Sequence, residues 1–109
     1  MANSPPLLAD TFQKLTNQNR RIETLLDSLQ GDIDQLVEAS LACNIQKIKS
    51  QCQKIFSMSQ FAECEEIAER AQALSDAAEE PKGKDFQRNL IKLIGTYGRI
   101  GKKSRSQKK

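Results

Sequence analysis

Apolar positions along the first part of the chain recur at alternating steps of four and three residues. The series is Leu8, Phe12, Leu15, Asn19, Ile22, Leu26, Leu29, Ile33, Leu36 and Ser40, with two polar members. That spacing places the whole series on one face of a helix. Ser4 before Pro5 predicts an N-cap with proline at the first helical position. The polar stretch TNQNRR at 16–21 interrupts the pattern, and Gly31 weakens it by about 1 kcal/mol relative to alanine. A short helix near 6–16 and a long one near 18–42 are therefore expected.

Cys43-Asn44 reads as a turn, with Asn44 able to cap a third helix by accepting from unpaired backbone amides. The stripe of that helix is Ile45, Ile48, Cys52, Ile55 and Phe56. Ser59 reads as the next N-cap. A fourth helix follows, with Phe61, Cys64, Ile67, Ala68, Ala71, Leu74 and Ala78 on one side. Its early Glu63, Glu65 and Glu66 suit the positive end of a helix dipole. The run EEPKGKD at 79–85 is a loop. The last helix turns Phe86, Leu90, Leu93, Ile94 and Tyr97 inward and frays at Gly95, Gly98 and Gly101. No strand pattern competes. Short loops make neighbouring helices antiparallel. The expected fold is all-α: an antiparallel up-and-down four-helix bundle with a short N-terminal helix and a disordered basic C-terminal tail.

The length of 109 residues suits one small domain. Aromatic residues make up only 5% of the chain, so aliphatic side chains must do the packing, which favours helices. No run of about 18 apolar residues is present, so no membrane span is expected. The N-terminus has no basic segment leading into an apolar one, so no signal peptide is expected either. Cys43, Cys52 and Cys64 make an odd count without CxxC spacing, each on or near an apolar stripe. They read as reduced, buried thiols of a cytoplasmic protein.

Charge is unevenly placed. Lys92, Arg99, Lys102, Lys103, Arg105, Lys108 and Lys109 are followed by no acid, so the rest of the chain is net acidic. Residues 1–98 are expected to form the helical domain and 99–109 a flexible basic tail. Lys102, Lys103, Arg105, Lys108 and Lys109 could lend that tail salt-sensitive affinity for nucleic acid, though an acidic body and the lack of a recognition-helix pattern argue against it.

The residue inventory argues against catalysis. The chain has no histidine, so the commonest general base near neutral pH is absent and Ser–His and Cys–His pairs are excluded. GTYGRIG lacks the strand and helix that a phosphate loop needs on either side. Asp32 with Asp34 and Glu65 with Glu66 read as solvated helix charges. No enzymatic activity, metal or cofactor is expected. The polar face of the third helix stands out instead. At 100° per residue, Gln46, Lys49, Ser50, Gln53, Ser57 and Gln60 fall on one flank. Amides and hydroxyls can be covered by a partner at a smaller desolvation cost than charges.

This arrangement resembles the histidine-containing phosphotransfer (HPt) domains, which are four-helix bundles of about this length. DIDQLVEASLACN at 32–44 looks like the end of that family's long helix and its turn. IAERAQALSDAAEE at 67–80 is similar to a later helix. With both segments in register, the phosphoacceptor position falls on Gln53, and Ile55 matches the apolar position after it. The chemical motif itself departs. Gln53 stands where the family has histidine, Phe56 where it usually has lysine, and Ser57 and Glu63 where it has glycines. The resemblance therefore implies a pseudo-phosphotransfer domain over roughly residues 8–97. Such a domain would dock a response-regulator receiver domain or another signalling partner without relaying phosphate.

A rival reading comes from the first stripe, which also fits a heptad. Leu8, Leu15, Ile22, Leu29 and Leu36 take one core position, and Phe12, Asn19, Leu26, Ile33 and Ser40 the other. Asn at an a position with Leu at d specifies parallel two-stranded coiled coils, so the chain could be an assembly subunit dimerising through residues 8–43. The extra apolar residues Leu25, Val37 and Leu41 widen the face as a bundle requires. A monomer is favoured over a homodimer.

Overall fold

The computed structural model describes the backbone of residues 6–107 and the side chains of 13–103 other than Gln18. The expected cap at Ser4-Pro5 and the side chains of Leu8, Phe12, Arg105, Lys108 and Lys109 lie outside the described residues. Among those described, the chain is all-α. Its helices are α1 (Pro6–Leu41), α2 (Ile45–Phe61), α3 (Glu65–Asp76) and α4 (Lys84–Gln107).

α1 is a single helix of 36 residues, so the expected break at TNQNRR does not occur. Asn and Thr lower helix propensity by only a few tenths of a kcal/mol each, roughly, and the stretch has neither Gly nor Pro to stop the helix. Gly31 is likewise absorbed. At about 1.5 Å per residue α1 is about 54 Å long and α2 about half that. Arg21 reaches Phe61 and Glu63 at the end of α2. The residues of α1 before Arg21 therefore run on past α2, which accounts for a molecule 65 Å long and only 23 × 19 Å across.

The core lies between the four helices. Leu25, Leu29, Ile33, Leu36 and Ala39 of α1 pack with Ile48, Cys52 and Ile55 of α2. Ile67, Ala71 and Leu74 of α3 and Phe86 and Leu93 of α4 complete it. Each helix packs on its chain neighbours, and α4 returns to α1, closing a ring; among the described residues the diagonal pairs bring no Cα atoms within 8 Å of each other. The apolar stripes of α1 and α2 behave as their spacing predicts wherever a second helix is present to cover them.

The turns correct two expectations. Ser59 is not an N-cap. It lies inside α2, fully buried, because its spacing from Cys52 and Ile55 puts it on the core face. Phe61, expected in the core of the next helix, is the last residue of α2 and 78% exposed. α2 runs about one turn further than expected, to Phe61, and is closed by Glu63 two residues on, whose φ of 59° is left-handed. There Cys64 donates its N–H to Ser59 O at 2.8 Å and Glu63 donates to Gln60 O at 3.0 Å. α1 ends in the same way: Cys43 has φ 54°, Asn44 N–H bonds Ala39 O and Cys43 N–H bonds Ser40 O. Both are Schellman closures, which glycine usually provides. Asn44 also caps α2 as expected, its side chain accepting from the Lys47 N–H at 3.2 Å.

α3 and the 77–83 loop lead into α4 close to the expected place. The expected fraying at Gly95, Gly98 and Gly101 is not observed: the α4 backbone continues to Gln107 through residues assigned above to a disordered tail. Ile94, expected inward, is 40% exposed. No described helix is long and apolar enough to cross a membrane.

Candidate functional site

α2 is held on two sides. Toward α1, Lys54 Nζ lies 3.0 Å from Asp32 Oδ1, and Gln51 Nε2 donates to Gln35 Oε1 at 2.6 Å. Asp32 is almost fully buried while Lys54 stays exposed, so the lysine stem reaches over to neutralise an otherwise unpaired acid. On the other side Lys49 pairs with Glu79, just beyond α3. Ile48, Cys52, Ile55 and Ser59 point into the core.

These anchors fix which face of α2 remains outward. Gln46, Lys49, Ser50, Gln53, Ser57 and Gln60 are all exposed. Gln53 is at the middle, two turns from either end. The downstream part of the strip separates two hollows. Ser57 lines the first, of about 470 Å³, with buried Leu25 and Ala62 at its floor and Met58, the exposed Phe61, Arg20 and Arg21 around them. The Arg21 guanidinium lies 5.9 Å from the Phe61 ring centre and 3.4 Å from Glu63 Oε1. Gln60 lines the second, of about 920 Å³, with Phe56, Glu63, Glu65 and Glu69. One hollow is therefore apolar with a basic rim and the other is acidic.

Periodicity did not single out Phe61, Arg20 or Arg21, because Phe61 read as core and the arginines as part of a helix break. Leu41, at the C-terminus of α1, is likewise 81% exposed rather than part of a packed face. Each of these two side chains follows a buried residue, Ala39 or Ser59, by two positions, about 200° round the helix, and so turns away from the core.

Chemically, the strip offers hydroxyls, amides and one ammonium, itself in an ion pair. A glutamine amide at position 53 donates and accepts hydrogen bonds but has no ring nitrogen to take a phosphoryl group. The thiols are free, Cys43 half-buried and Cys52 and Cys64 buried. Burial pushes the Cys52 thiol up to about 12, which keeps it protonated and poorly nucleophilic. Among the described residues no group of His, Cys, Asp and Glu could hold a metal ion.

The downstream half of the heptad stripe is used within the chain, since Leu29, Ile33 and Leu36 are buried. Leu15, upstream, is 55% exposed. Compared with protein-family models, curated proteins and solved structures, the chain matches none.

Proposed function

We propose that the protein is a non-catalytic interaction domain, a pseudo-phosphotransfer module. Its α2 strip, centred on Gln53, docks a receiver domain or a similar signalling partner without phosphate relay. In this reading the four helices run alternately up and down as an antiparallel bundle. The observation that carries it is the outward face of α2: exposed along its length, nearly uncharged, and centred on the residue that takes the acceptor position in the HPt resemblance. Such a face can be desolvated cheaply, and the ion pairs of Lys49 and Lys54 steady the helix beneath it.

The test is to incubate the chain with a receiver domain phosphorylated on its aspartate. The proposal expects binding with no phosphate on this chain; a stable phosphoryl adduct contradicts it. Gln53→Arg should weaken binding by about tenfold or more while helicity is retained, as for a residue at the centre of an interface.

A second reading is favoured by one observation, the exposed upstream stripe of α1 around Leu15 and Asn19. There the chain would be an assembly subunit pairing through the part of α1 that extends past α2. Light scattering over a concentration series separates the two: a constant monomer mass supports the docking module, and a stable dimer supports the assembly subunit.

A further inference from the structure

Basic residues upstream of the expected tail join it in a single surface feature. At 100° per residue, Lys84, Arg88, Lys92, Arg99, Lys102 and Lys103 fall within about 100° of arc on α4. All are exposed. Phe86, Leu93 and Thr96 occupy the buried side. The row runs for about 28 Å along the helix. Near its middle are Gly95 and Gly98, exposed and with open space where a Cβ would lie, so the backbone there can be approached closely. The acids near the row gather at its start, where Asp76, Glu79, Glu80 and Asp85 line one hollow with Lys84, and Glu66 of α3 pairs with Arg99.

We infer that this ridge is a sequence-independent binding surface for the phosphate backbone of a nucleic-acid duplex. Charge complementarity identifies the partner class. The cations form a line rather than a broad patch, and a duplex presents a line of charge, about eight phosphates per strand over 28 Å. Arg88 can hold a phosphate through two parallel N–H donors, and Arg99 can do so once it exchanges Glu66 for the phosphate. An anionic lipid surface would need a broad apolar face beside the cations. α4 offers only Ile91 and Ile94 at one edge of the ridge. Base stacking plays no part, because Tyr97, the aromatic residue nearest the ridge centre, is partly buried with its hydroxyl donating to Leu26 O at 3.5 Å. The surface is distinct from the α2 strip, since it lies on the diagonally opposite helix, no Cα of which comes within 8 Å of one of α2.

The experiment is fluorescence anisotropy of the full chain with a labelled mixed-sequence duplex of roughly 20 base pairs. Salt is varied between about 50 and 200 mM. Full engagement of the ridge predicts a slope of log K against log salt of about −4 to −5. Replacing Lys84, Arg88 and Lys92 together by Gln should lower affinity by at least about tenfold at low salt and make the slope shallower by about 2–3. The same exchange at Arg105, Lys108 and Lys109 should cost less. Circular dichroism melting checks that each variant stays folded. The inference is overturned by any of three results: no binding at the lowest salt; wild-type affinity and slope for the Lys84/Arg88/Lys92 variant; or binding to phosphatidylserine vesicles without binding to the duplex.

Discussion

The two halves of α1 carry one sequence pattern into two environments. Downstream, Leu25, Leu29, Ile33, Leu36 and Ala39 are buried against α2 and α4. Upstream, the same three-four spacing leaves Leu15 more exposed than covered, because α2 has ended by Arg21. Periodicity therefore tells which side of a helix is apolar, and the lengths of neighbouring helices decide how much of that side is covered. The contrast also has a functional side. Where α1 is covered it lies under the α2 strip, and the proposed pairing with a second chain concerns the part that is bare.

Substitutions can break or sharpen this contrast. The largest effect is expected for Leu29→Ala, which opens a cavity and should cost about 3 kcal/mol in urea unfolding, while Leu15→Ala should change stability by less than about 0.5 kcal/mol. Similar losses at both positions would mean that the upstream half is covered in solution, as in a dimer.

Next in size is a pH effect at Cys52. Its folded value is raised to about 12, above the ordinary value of 9.0 that applies unfolded. Below the unfolded value both states hold the proton and stability is fully present. Above it the unfolded chain ionises first, and stability falls as pH rises toward the folded value. The loss should be on the order of 1 kcal/mol by about pH 10, and Cys52→Ala should remove it. Thiol reagents should label native Cys43 before Cys52.

Ser59→Ala should stabilise the fold by roughly 1 kcal/mol, because the Ser59 hydroxyl is buried without a hydrogen-bond partner. Ser57→Ala, on the exposed strip, should be near neutral. The smallest expected gain is Gly31→Ala, at most about 1 kcal/mol, since an added Cβ meets nothing within 4 Å on that exposed turn of α1. Thermal melts of the pair Ser59→Ala and Gly31→Ala check both.

The sequence conveyed most where one residue type has one physical use. Asn44 caps α2, and Ile48, Cys52 and Ile55 face the core, as cap chemistry and spacing require. It conveyed least where a residue has two uses. Serine is equally a cap and a small core residue, so Ser59 read as the start of a helix that begins at Glu65. The left-handed Glu63 is hard to foresee because non-glycine residues seldom adopt that conformation, and Phe61 is exposed because α2 runs on through it, about 200° round from buried Ser59. The α2 strip could be derived from the wheel alone, whereas the hollows beside it depend on where α1 and α3 lie. The α4 ridge was only half legible. Its cations were visible, but the glycines at 95, 98 and 101 suggested that the helix would end before joining Lys84, Arg88 and Lys92 to the tail.

The central claim is that the Gln53 face of α2 is where a signalling partner docks. The most direct measurement is calorimetric titration of receiver domains from the same genome into the wild-type chain and into Gln53→Arg. Saturable binding by at least one receiver, weakened by about tenfold or more in the variant at unchanged helicity, is the predicted result. The claim is contradicted if no receiver binds, or if the variant binds as tightly as the wild type.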